Sequence, residues 1–313
     1  MAQGSSAGSR MSPTTAIGGA PFAARECNAT PFGARSISLQ AVQIRMKSVG
    51  NIQKITKAMK MVAASRLKGA ETRAKQSRAL VQPFVRLLGD TPAVEVEGET
   101  LVVPITSDKG LCGGINTTVV KYTKVLNEMN GGVAALDVIG EKARSQIARL
   151  YPKQINDVIV DTTKQPLTFA TVCGIADTIM SKNAPKTHLI YNRFQSAIAF
   201  RPTVATILSN DELEKVAEEG VNAFDTYEIE GPDRSEFLLD LAEFKMGALL
   251  YNAMLENNTS ELGSRMQSME SSSKNAGEML NKLTLLYNRT RQAAITTELI
   301  EIISGASALE AEK

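Results

Sequence analysis

The stretch LGSRMQSMESSSKNAGEMLNKLTLLY, residues 262–287, carries the strongest periodic signal in the chain. Leu262, Met266, Met269, Ser273, Ala276, Leu280, Leu283 and Tyr287 follow one another in alternating steps of four and three. Such steps place the side chains on one seam of a helix, the a/d pattern of a coiled coil. No proline follows Pro232, so the helical segment extends over 233–313. An unbroken helix over 233–308 would be on the order of 110 Å long. A small domain is not that wide, so the seam must lie against a partner helix or against other chains.

The partner is visible at the other end of the chain. Residues 37–90 read as a second long helix, with Val42, Met46, Val49, Ile52, Ile55, Met59 and Val62 spaced by threes and fours as one apolar stripe. The excess of threes leaves the supercoil hand open. Pro31 and Pro83 lie near its ends, and Gly50 and Gly69 weaken it by about 1 kcal/mol each relative to alanine. Its charge is one-sided: eleven lysines and arginines stand against Glu71 alone between residues 38 and 88. A solvated helix face usually mixes signs, so this one asks for an acidic surface on protein, phospholipid or nucleic acid.

Between the helices the period changes. Residues 91–99 are an acidic linker, and LVVPIT (101–106) reads as a buried strand followed by SDKGLCGG and a helix over 116–130. ALDVIG, a strand over 157–161, THLIYNRF and 197–208 supply further strands, with EKARSQIARLY and 169–181 as helices. Strands alternating with helices predict an α/β domain over 91–212 with a mostly parallel sheet. Residues 213–232 form a polar, acidic linker closed by Gly231-Pro232. The expected fold is therefore α/β, an antiparallel coiled coil of the two terminal helices plus a central Rossmann-like domain.

Composition limits the chemistry. The 313 residues carry a net charge of +2, no tryptophan and one histidine. Cys27, Cys112 and Cys173 are odd in number and widely spaced, which suggests neither a disulfide framework nor a metal site. His188 lacks a nearby acid or cysteine and reads as structural. No run of about 18 apolar residues occurs, so no direct membrane insertion is expected. Residues 1–36 contain Arg10, Arg25 and Arg35 against Glu26 and are rich in Ser, Ala and Gly, the profile of an organelle transit peptide or of a disordered tail.

The sharpest enzymatic alternative is the loop with Gly110, Gly113 and Gly114 before a helix, which could cradle a phosphate on backbone N–H groups. GxxGG matches neither established nucleotide-loop spacing, and the other reading is a tight strand-to-helix turn. Asp108, Asp137, Asp157 and Asp161 could approach one sheet edge, but nucleophilic catalysis has no visible base there. A basic coiled coil on nucleic acid or membrane is the third reading, and it would bind with steep salt dependence.

Three strings occur in order: KITKAMKMVAASRL on the first helix, ITSDKGLCGGIN in the middle, and RMQSMESSSKNAGEMLNKLTLLYNRTRQAAITTELIEIISGASAL on the last. Together they resemble the gamma subunit of F-type ATP synthases over residues 38–309. The resemblance implies a central-stalk rotor without a catalytic site or cofactor, turning inside a catalytic hexamer of alpha and beta subunits. It implies a foot shared with epsilon-type and delta-type subunits on a membrane c-ring driven by proton flow, and no nucleic-acid partner. The positions matching the family's contacts with the hexamer are Met59, Lys60, Arg66, Arg291, Gln292, Thr296 and Glu298. Chloroplast members carry a closely spaced regulatory cysteine pair that this sequence lacks. With the Arg-rich leader, this favours the matrix side of the mitochondrial inner membrane. Ser272 and Ser273 stand where the family commonly has an Asn-Ala pair.

Overall fold

In the computed structural model, residues 38–88, 98–209, 212 and 234–311 are described. The leader 1–36 and nearly all of the two acidic linkers lie outside them. Helix α1 spans Leu39–Leu88 and the last helix, α5, spans Arg234–Ala311. With 78 residues α5 is on the order of 115 Å long. The two run antiparallel: Lys60 Nζ bonds Glu270 Oε1 at 2.6 Å, Ser77 Oγ bonds Asn252 Oδ1 at 2.9 Å, and Phe84 stacks on Phe244 with centroids 5.6 Å apart.

The seam of α5 is the one the periodicity predicts. Met269 and Ala276 are buried, and Leu262, Met266, Ser273, Leu280, Leu283 and Tyr287 are half-buried. The seam of α1 differs. It begins as expected with Val42, Met46 and Val49, then continues through Gln53, Thr56, Lys60, Ala63, Leu67, Ala70, Ala74, Ser77 and Val81 in strict steps of four and three. That settles the open question of period in favour of the heptad. Ile52, Ile55, Met59 and Val62 leave the seam and face outward, Ile55 being 55% exposed. The physical reason is that the regular steps of four and three from Val49 lead to Gln53, Thr56 and Lys60, whose polar groups are met inside the pair, Thr56 by its own helix carbonyls and Lys60 by Glu270. Helix α1 also continues five residues past Pro83, so that proline lies inside the helix rather than ending it.

Gly50 and Gly69 have open space where a Cβ would stand, with nothing within 4 Å. Each Gly→Ala change is expected to stabilise the chain by up to about 1 kcal/mol through helix propensity. A thermal melt of the full chain that shows no rise for either variant would contradict this.

Five strands lie between the helices: β1 (Leu101–Pro104), β2 (Ala135–Ile139), β3 (Ile155–Ile159), β4 (Lys186–Phe194) and β5 (Phe200–Leu208). They form one sheet in the order β3-β2-β1-β4-β5. The first four are parallel and β5 returns antiparallel along β4 in a hairpin. Helices α2 (Ile115–Met129), α3 (Glu141–Leu150) and α4 (Phe169–Met180) make the crossovers.

Alternate residues of each strand feed two cores. Val102, Leu136, Val138 and Ile190 pack with Val119 of α2 and Ile147 of α3. Leu101, Val103, Ile105, Leu189 and Tyr191 pack with Val172 and Ile179 of α4, but also with Val81 of α1 and Met246, Leu250 and Met254 of α5. The lower part of the helix pair is thus the second layer of the sheet.

Candidate functional site

Long-range polar contacts bind the sheet to the helix pair above this core. Glu256 of α5 is fully buried, accepts from both Nε and Nη2 of Arg78 on α1, and takes the Phe194 N–H at 2.8 Å. Arg78 Nη2 also donates to the Phe194 carbonyl at 2.6 Å. Its hydrogen bonds to Glu256 hold the guanidinium above its already high pKa, against the opposing effect of burial. Ser260 Oγ donates to the Asn192 carbonyl at 3.0 Å, and Gly263 passes the Ala197 carbonyl with no room to spare.

The Gly110–Gly114 loop reaches the same helix from another strand end. Ser264 Oγ donates to the Cys112 carbonyl, and Arg265 donates to the Gly110 carbonyl. Gly113 has φ +64, and a Cβ there would stand 2.9 Å from Ser268 Oγ, so a side chain would be strained in conformation and would push the Ser268 hydroxyl aside. Asn116 fixes the loop from inside, accepting the Ser107 N–H at 3.1 Å and donating to Ser107 Oγ at 2.8 Å. The loop is a bracket on α5, with its carbonyls spent on Ser264 and Arg265. Leu111, Gly113 and Gly114 remain exposed on its outer side. Beneath it Glu261 is buried, which raises its carboxyl pKa, while Arg265 opposes that rise through its charge and hydrogen bond.

The aspartates are likewise structural. Lys182 bridges the buried Asp137 of β2 and Asp157 of β3, the latter at 2.6 Å. Burial opposes the lysine charge, but bonds to the two carboxylates outweigh it and raise its pKa. Asp161 pairs with Lys164 at 2.6 Å, and Asp108 accepts the Glu141 N–H at 3.3 Å. Cys112 is buried and Cys173 partly so, both as free thiols.

The structure distributes the predicted contact residues into two bands. Met59 and Arg66 are exposed on α1. Lys60, one step away, sits in the seam and is engaged with Glu270 across the pair. Arg66 also borders a cavity of about 460 Å³ formed with Arg73 and the loop 162–167. Arg291, Gln292, Thr296 and Glu298 are exposed on α5 on the order of 35 Å further along the axis. Thr296 Oγ1 bonds the Gln292 carbonyl at 2.9 Å, a local bond within the helix.

The register set by Lys60 and Glu270 puts Leu39, the first residue of α1, level with Arg291. Beyond it α5 continues alone among the described residues. Its outer surface there carries Ile295, Leu299, Ile300, Ile302 and Ile303, with Ile302 68% exposed. Ile44, Ile52, Ile55, Met61 and Val62 add exposed apolar area on α1. Contiguous apolar surface of this kind marks an interaction site. Among them flow unpaired cations: Arg45, Lys47, Lys54, Lys57, Arg66, Lys68 and Arg73 have no ion pair among the described residues.

The ATP synthase family model matches residues 38–309, spanning both helices and the sheet. The chain belongs to the ATP synthase gamma family. It is 53% identical over 286 residues to the mitochondrial ATP synthase subunit gamma of Ipomoea batatas, covering 89% of this chain and 87% of that one. A chain of the Tetrahymena thermophila mitochondrial ATP synthase central stalk and c-ring structure aligns with TM-score 0.61 at 32% identity, over 70% of this chain and 99% of that one. A chain of the Euglena gracilis mitochondrial ATP synthase superposes with TM-score 0.75 over 88% of this chain and 95% of that one, and at 21% identity it supports the fold. The chain is accordingly an ATP synthase gamma subunit of the mitochondrial kind, with the fold of the Tetrahymena central-stalk chain. No helix among the described residues is long and apolar enough to cross a membrane.

Sequence reasoning missed the outward face of α1 and the bracket residues Glu256, Ser264, Arg265 and Ser268. A signal for Glu256 exists: it falls three and seven residues after Ala253 and Leu249, at a core phase of α5.

Proposed function

We propose that the helix pair carries torque from a proton-driven membrane c-ring to a catalytic hexamer of alpha and beta subunits, where ATP is made, and that this chain holds no catalytic site itself. The observation that carries the reading is the surface of the pair. Its inner seam is closed, while isoleucines, methionines and lysines that a lone two-helix rod would bury or balance face outward. The apolar end of α5 suits an apolar collar, since dispersion contacts without directional bonds let a surface slide. The basic face of α1 suits an acidic loop of the catalytic subunit. Met59 and Arg66 belong to that contact, with Lys60 holding the pair in register behind them. Arg291, Gln292, Thr296 and Glu298 form a polar catch at the level where α1 begins. Epsilon-type and delta-type subunits would share the foot near the start of α5, at the matrix side of the inner membrane, and neither nucleic acid nor a cofactor enters the mechanism.

Rotation acts by presenting different faces of an asymmetric shaft to each catalytic site in turn, and so shifts the conformational populations of those sites. The test reverses charge without opening the pair. Lys54→Glu with Lys57→Glu, both exposed, leaves the Lys60–Glu270 contact in place. The assembled complex is expected to lose several-fold in ATP synthesis per proton gradient applied, and its loss should shrink at high salt. Unaltered coupling in a complex of normal subunit content would refute the basic face as a working contact.

A further inference from the structure

The shaft-facing side of β4 and β5 holds an open cavity of about 620 Å³ that none of the predicted hexamer-contact residues lines. Arg78, Arg193 and Arg201 line it, together with Gln195 and Thr203, and no acidic residue does. The Arg78 charge is already spent on Glu256. Arg193 and Arg201 are not so compensated: they stand directly opposite each other in the β4–β5 ladder, and neither has an ion pair among the described residues. Residues opposite in an antiparallel pair project on the same face, where like charges repel. A bound anion removes that repulsion.

We propose that this cavity is an oxyanion site for a phosphate-bearing small molecule of nucleotide size. Two guanidinium forks on one face match the oxygens of a phosphate or diphosphate. The volume exceeds what a lone phosphate fills and lies in the range of small-molecule sites. A second cavity of about 360 Å³ shares Arg78, Arg193, Thr203 and Val204 with it and is bounded by Val81 and Leu249. The uncharged part of such a ligand would lie there. An acidic peptide is the poorer occupant. Although β5 is an edge strand, Pro202 at the cavity removes the N–H that an added strand would pair with.

Titration calorimetry on the purified full chain, with pyrophosphate and with ADP as probes at ionic strength fixed by chloride, tests the site. Saturable one-site binding is expected, weakened by at least about tenfold in the Arg193→Gln, Arg201→Gln double variant. Both residues are exposed, and the ligand-free double variant should melt no lower than the parent because a like-charge pair is removed. ADP binding tighter than pyrophosphate assigns the second cavity to the organic part, and pyrophosphate binding as tight or tighter keeps the site with its phosphates alone. Absence of saturable binding, undiminished binding in the double variant, or preference for an oligoglutamate peptide over both probes would overturn the proposal.

Discussion

Replacing Glu256 with alanine is expected to destabilise the full chain by about 3–5 kcal/mol, the cost of breaking a buried ion pair by removing one partner. The carboxylate is fully buried, whereas Arg78 borders the open cavity beside β4 and β5, so water reaches one side of the stranded guanidinium and places the loss at the lower end of that range. Removing the carboxylate strands the Arg78 guanidinium, whose Nε and one Nη2 contact are both to Glu256, and leaves the Phe194 N–H without its acceptor. The same side chain joins three elements: α1 through Arg78, the end of β4 through Phe194, and its own helix. The damage should therefore spread to the anchoring of the hairpin. Urea denaturation of the full chain measures it, and a loss below about 1 kcal/mol would show that the pair is dispensable. The double change Arg78→Met, Glu256→Leu should recover most of the loss, because apolar residues of similar volume replace such pairs at little net cost.

Acid sensitivity gives the second large effect, and it centres on His188. The ring is buried in β4, its Nδ1 lies 3.1 Å from Thr206 Oγ1, and burial followed by the nearby Lys186 charge lowers its pKa to about 4. The fold thus holds the ring neutral, while the unfolded chain takes up a proton near the ordinary value of 6.5. Between the two values the unfolded state binds more protons, so stability rises with pH across that window. The contribution is complete above about 6.5 and is lost as pH falls toward about 4, amounting to about 3 kcal/mol over the interval. Carboxylates titrate in the same range, so the informative quantity is a difference. The unfolding free energy of the parent minus that of His188→Gln, measured from pH 7 to pH 4, should fall by about 3 kcal/mol as the pH drops. Parallel curves would show that His188 is already as easily protonated in the fold as out of it.

How far the sequence discloses the structure depends on what each seam is made of. The α5 seam is built mainly from leucines and methionines at a/d spacing, and these stand out against Lys274, Glu278 and Asn281 between them. The α1 seam is built from Gln53, Thr56, Ala63, Ala70, Ala74 and Ser77, small or polar side chains that no hydropathy pattern selects. Its larger apolar residues, Ile52, Ile55 and Met59, belong to the outer face instead. A reading that equates apolar with inward therefore follows the wrong side of that helix after Val49, because the seam there is filled by polar and small side chains while the larger apolar ones stay exposed. The α/β elements are legible to within a few residues, since each strand is short, apolar and bounded by turn residues. The Gly110–Gly114 loop is not legible in the same way. Its glycines do what a phosphate loop also asks of them, allowing a close approach, and only the contact with Ser264 and Ser268, some 150 residues away in sequence, shows that a helix is what approaches.

The core shared by Val81, Met254 and the strands has a mechanical consequence. Because the same side chains seal both the sheet and the base of the helix pair, no joint lies between them, and the lower half turns as a solid piece. Any twist applied along the pair must be taken up higher, where, among the described residues, the two helices touch only each other and then α5 runs on unaccompanied. The slender upper stem, whose α1 seam is Val42, Met46, Val49, Gln53, Thr56 and Lys60, is accordingly the part of the pair with no sheet to brace it.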